Sequence, residues 1–116
     1  MSEDRLQQEC VLWFRNNYIH LKGTLYSVPN GGKRNPREAK LLKSTGLYKG
    51  VADLHLLLDG GRIVFLEAKT IRGVQSRDQK EWEDIVKRLG FDYIIFRTLQ
   101  EFKKIIYKYV GSTPTT

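Results

Sequence analysis

The chain has 116 residues, a length that fits one domain burying about 65–70% of its unfolded surface, so folding needs no disulfide or structural metal. Its single cysteine, Cys10, and two histidines, His20 and His55, exclude a disulfide framework and a Cys/His zinc cluster, so any metal must be held by oxygen. Twenty Lys and Arg against thirteen Asp and Glu leave a net charge of +7, which attracts polyanions, nucleic acid first; no apolar run approaches a bilayer span, so a soluble cytoplasmic protein without a membrane partner is expected.

Ser2 caps a first helix with Glu3 and Asp4 in its opening turn, and Leu6, Cys10, Trp13 and Phe14 recur at helical spacing to about Tyr18. Leu25 to Val28 reads as a short strand, broken by Pro29, Asn30, Gly31 and Gly32. A basic segment follows as far as Lys49, carrying Lys33, Arg34, Arg37, Lys40 and Lys43. Inside it Asn35, Pro36 and Glu38 are a cap, a favoured first helical residue and a capping-box partner, which predicts a short helix from Pro36 to about Lys43.

Val51 to Leu58 and Arg62 to Ala68 are two apolar runs joined by Asp59, Gly60 and Gly61, the pattern of a buried hairpin. Ser76 and Gln79 form a capping box ahead of Trp82, Ile85, Val86 and Leu89, and Gly90 stands where a helix ends. Phe91 to Arg97 is a buried strand, and Thr98 with Glu101 caps a last helix bearing Leu99, Phe102, Ile105, Ile106 and Tyr109. One domain over residues 1–110 is expected, with a flexible tail from Gly111 to Thr116. The order is α-β-(α)-β-β-α-β-α, an α/β arrangement in which helices flank a central mixed sheet.

Chemistry concentrates on the hairpin. Centred on Gly60, it pairs Asp53 with Glu67, and two directly opposed acids destabilise a sheet unless a cation lies between them. Alternation places Glu67 and Lys69 on one face, while Ala68 points away and offers its backbone carbonyl. An all-oxygen set of Asp53, Glu67 and the Ala68 carbonyl suits Mg²⁺, for which Mn²⁺ substitutes, and the Lys69 ammonium suits a phosphate or hydroxide. A pair of exposed strand-end charges neutralised by a lysine is the plainer reading of the same residues. His55, in an apolar strand, reads as a hydrogen-bonded core histidine rather than a base.

Asp53 with Glu67-Ala68-Lys69, followed by the helix at Ser76, resembles the PD-(D/E)xK nuclease superfamily, with Ala52 where its proline usually stands. More narrowly, the helical glutamate, Gly46-x3-Gly50 before Asp53, and Gln79 opening the next helix resemble a stand-alone VRR-NUC domain over nearly the whole chain, to about Phe102. The resemblance implies a restriction-endonuclease-like fold, Glu9 as an additional metal-site acid, and Gln79 as a residue that orients the lysine or a phosphate. Glu9 also fits an exposed surface glutamate on the flank of the apolar stripe, and capping alone accounts for Gln79.

The expectation is a Mg²⁺-dependent endodeoxyribonuclease selective for DNA structure, with the basic segment holding phosphates beside the scissile bond. Stand-alone domains of this size resemble Holliday-junction resolvases, which implies a homodimer acting on four-way junctions. A flap or nicking nuclease of phage or repair origin and a non-catalytic basic DNA-binding module are the alternatives.

Overall fold

In the computed structural model, which describes residues 1–29 and 35–112, side-chain caps start each of the four α-helices. Ser2 opens α1 (Glu3–Asn17), Asn35 opens α2 (Pro36–Ser44), Ser76 opens α3 (Arg77–Arg88) and Thr98 opens α4 (Leu99–Val110), each accepting a backbone N–H three residues on. All four were readable from sequence. A 3-10 turn at Ile19–Leu21 after α1 was not expected.

The strands are β1 (Leu25–Ser27), β2 (Leu54–Leu58), β3 (Arg62–Ala68) and β4 (Asp92–Phe96), lying side by side in that order. β1–β2 and β2–β3 are antiparallel, and β3–β4 is parallel because α3 carries the chain across between them. The expected strand from Val51 shortens at its start. Pairing begins at Leu54, since Gly50 adopts φ +93° and the segment to Asp53 turns toward α3 before entering the sheet.

Two cores result. Leu6, Cys10 and Phe14 of α1 and Phe102 and Ile106 of α4 cover one face of the sheet, meeting Leu54, Leu56, Val64, Leu66 and Phe96. Val86 of α3 packs on the other face with Ala52, Phe65 and Tyr93, and Trp82 closes against them. β3 lies in the middle, buried without interruption from Val64 to Ala68, which is why its sequence does not alternate. Gly111, expected to begin the tail, is tied down: its carbonyl accepts from the Tyr18 hydroxyl at 2.9 Å. The rest of the expected tail beyond Ser112 lies outside the described residues.

Candidate active site

The site is built by the β2–β3 hairpin. Gly60 and Gly61 have φ of +78° and +74°, the double left-handed conformation that matches a tight turn to twisted strands. The ladder pairs Leu54 with Leu66 and His55 with Phe65. Continued by one residue, that register sets Asp53 opposite Glu67, as the spacing about Gly60 requires.

Asp53 is fixed at both ends. Its carbonyl accepts from Val28 N–H at 3.0 Å, and its Oδ2 accepts from Ala68 N–H at 2.9 Å. Ala68 thus contributes its backbone to the site while its methyl group faces the α1/α4 core. Glu67 is fully buried, at 0% exposure, and its Oε1 accepts from the Tyr93 hydroxyl. Its Oε2 is buried and has no partner.

Burial pushes both carboxyls above their usual range. For Asp53 the Ala68 N–H opposes that rise, Glu3 adds to it and Lys69 opposes it. For Glu67 the Tyr93 hydroxyl and Lys69 oppose the effect of burial, and the charge of Asp53 adds to it. The charge of Lys69 therefore acts on both acids, and only 5% of its surface is exposed. Its Nζ lies 3.7 Å from Glu3 Oε2, and its N–H donates to the Phe96 carbonyl at 3.0 Å.

The segment after Lys69 is strapped in place. The Arg97 guanidinium donates to the carbonyls of Thr70 and Gly73 at 2.7 Å and of Ile71 at 3.4 Å.

The expected residues do not all gather here. Glu9 is half-buried, pairs with Arg5 at 3.8 Å and raises the pKa of its neighbour Cys10, while the α1 acids whose charge acts on Asp53 are Glu3 and Asp4. The α1 acid next to Lys69 is Glu3, in the helix's first turn, because the N-terminal end of α1 is the end that overlies the close of β3. Gln79 completes its capping box: its Oε1 accepts from Ser76 N–H at 2.8 Å, so its amide NH₂ is what it can offer a substrate. Its backbone abuts Gly50, three residues ahead of Asp53.

Arg37, Lys40 and Lys43 lie on α2, a helix with no buried residue, and Lys49 follows it, all exposed. Lys33 and Arg34 lie outside the described residues. His55 packs between Tyr26 and Phe65, with ring centroids 5.4 and 4.8 Å away, and burial lowers its pKa.

Sequence reasoning missed Glu3, Tyr93 and Gln75. Tyr93 shares the β4 face that meets Phe65 in register, a two-residue offset from Glu67 readable only once β3 and β4 are known to be parallel. Gln75 donates to Glu83 Oε1 at 2.9 Å and adds its own interaction with both Glu67 and Tyr93.

Among the described residues no three His, Cys, Asp or Glu side chains form a cage. The oxygens available to a metal are therefore those of two carboxylates and the Ala68 carbonyl, with an unpartnered buried oxygen on Glu67. That suits a hard divalent cation completed by water and substrate oxygens, and it does not suit a soft or structural metal.

Among solved structures, a VRR_NUC domain protein superposes on this chain with a TM-score of 0.78 at 18% identity, over 99% of this chain and 98% of that one. No protein-family model and no curated protein matches the sequence. The likeness establishes the fold: a mixed sheet flanked by helices in the restriction-endonuclease-like arrangement, as the sequence led us to expect. Among the described residues no helix is long and apolar enough to cross a membrane.

Proposed function

We propose that this chain is a VRR-NUC nuclease domain that hydrolyses DNA phosphodiesters with Mg²⁺, or with Mn²⁺ in its place. The observation that carries the proposal is the apposition of Asp53 and Glu67 at the hairpin, with the charge of buried Lys69 acting on both and Glu67 Oε2 left without a partner. Two acids held this way destabilise the fold unless a cation joins them. The shared fold with a VRR_NUC domain protein supports the same reading.

Asp53, Glu67 and the Ala68 carbonyl would hold the ion. Bound there, it supplies Lewis acidity, polarising a phosphate and making water a nucleophile near neutral pH. The chain's own groups do the rest. Lys69 is buried and its charge acts on both carboxylates, so it works in a low-dielectric setting where it stabilises negative charge developing on the phosphate. The Ala68 N–H and Tyr93 hydroxyl hold the two carboxylates still. Arg37, Lys40, Lys43 and Lys49 neutralise phosphates along the duplex, contacts that position DNA without reading its bases.

Within that activity the preferred substrate is branched DNA, cut by a homodimeric four-way-junction resolvase in the cytoplasm. Two symmetric cuts require two sites related by a two-fold axis. The test is cleavage of a labelled four-way junction, a flap and a plain duplex with Mg²⁺ or Mn²⁺, comparing wild type with Asp53→Ala and Lys69→Ala. Paired symmetric nicks in the junction, lost in both variants, are expected. Flap cutting would move the reading to repair or replication processing, and binding without metal-dependent cleavage would reduce the chain to a DNA-binding module.

A further inference from the structure

We infer that Tyr93 makes Glu67 a one-oxygen ligand and so biases the site toward Mg²⁺ and Mn²⁺ over Ca²⁺. The inference rests on the metal-dependent reading above and adds a positioning residue to it. Tyr93 pairs with Phe65 and Ile95 pairs with Glu67 across the parallel β3–β4 ladder, so the Tyr93 side chain leaves β4 on the face where Glu67 leaves β3. Its hydroxyl donates to Glu67 Oε1.

The phenol has little room to swing. Its ring is buried with Ala52, Phe65 and Val86, and meets Trp82 edge-on at 6.1 Å. Behind it Gln75 donates to Glu83 Oε1 at 2.9 Å, and Glu83 Oε2 pairs with Lys87 at 2.5 Å. This network, rooted on α3, engages Oε1 of Glu67 and leaves its Oε2 buried without a partner.

A carboxylate that offers one oxygen suits the near-ideal octahedron of Mg²⁺. Ca²⁺ takes more ligands and accepts the narrow two-oxygen bite that an unrestrained glutamate provides. Groups that hydrogen-bond a metal ligand are worth about 10–100-fold in affinity when removed.

Tyr93→Phe deletes one oxygen atom and keeps the ring on Trp82. Free Mn²⁺ is counted by electron paramagnetic resonance in metal-stripped protein without DNA, with Mg²⁺ and Ca²⁺ added as competitors. The variant is expected to lose about 10-fold in Mn²⁺ and Mg²⁺ affinity while Ca²⁺ affinity holds or rises, so that the preference for Mg²⁺ over Ca²⁺ falls by at least the same factor.

An equal loss for all three ions, the mark of general loosening, overturns the inference, and so does an unchanged ratio. A variant that no longer melts cooperatively overturns it too, since the hydroxyl would then be a requirement of the fold. Wild-type protein that takes up no Mn²⁺ overturns the metal-dependent reading itself, and Glu67→Gln, expected to abolish uptake, ties the bound ion to this site.

Discussion

Gly50→Ala should destabilise the protein far more than the same substitution at Gly60. Both glycines have positive φ, +93° at Gly50 and +78° at Gly60, so an alanine at either meets the left-handed penalty of about 1–2 kcal/mol. Only Gly50 is crowded. A Cβ there would stand 2.3 Å from the Asp78 carbonyl oxygen, 2.5 Å from its carbon and 3.0 Å from Gln79 N, whereas at Gly60 nothing lies within 4 Å. The obstructing atoms are the backbone of the first turn of α3, which cannot rotate aside as a side-chain tip would. Overpacking of that kind adds about 1–3 kcal/mol or more. At about 4 °C per kcal/mol for a chain of this length, the crowding alone lowers Tm by about 4–12 °C beyond the Gly60→Ala value. Thermal melts of both variants beside wild type measure the difference directly. Equal shifts would refute the close approach of the Asp53 segment to α3.

Cys10 is fully buried, and burial pushes its thiol up to about 12, with Glu9 adding to the rise. Between the unfolded value near 9 and that folded value the native state binds a proton the unfolded chain has released, so stability falls as pH rises through that window, by up to about 1.4 kcal/mol per pH unit; urea melts from pH 8 to 11 should show the fall set in near pH 9 and steepen above it, and Cys10→Ala should reduce it. Mg²⁺ at a hundred times its dissociation constant should stabilise wild type by about 2.7 kcal/mol, read as a rise in Tm. A similar rise in Glu67→Gln would place the ion elsewhere. Arg97→Met removes the guanidinium from three carbonyls of the segment after Lys69; a cost of about 2–3 kcal/mol is expected, together with faster tryptic cutting at Arg72, and an unchanged digestion rate would count against the strap.

The parts of the fold legible in the sequence were those set by local chemistry. Ser2, Asn35, Ser76 and Thr98 each accept the N–H that their type and position forecast. The turn at Gly60 and Gly61 fixed the hairpin register, and with it the meeting of Asp53 and Glu67, because pairing in a tight hairpin follows from counting outward. What counting does not reach is the placement of one element on another. Glu9 lies beside the apolar stripe of α1, but whether Glu3 or Glu9 reaches Lys69 depends on which end of the helix overlies β3. Tyr93 was readable as a strand residue but not as the partner of Glu67, since that requires the parallel β3–β4 register. The shortened start of β2 has the same origin: Val51 to Asp53 has strand-like composition, and the approach of Gly50 to α3 takes it out of the ladder.

The two-glycine turn has a further consequence for the order in which this protein folds. Asp53 directly precedes β2 and Glu67 lies on β3, strands joined by one short reversal, so zipping the hairpin outward from Gly60 is also the act that draws the two negative charges toward each other. Hairpins close in about 1–10 μs, ahead of the slower docking of distant elements. On that timescale the repulsion between the acids would be met while the chain is still open to water and counter-ions, which screen it, and α1, α3 and α4 would then seal the site around a pair already in register.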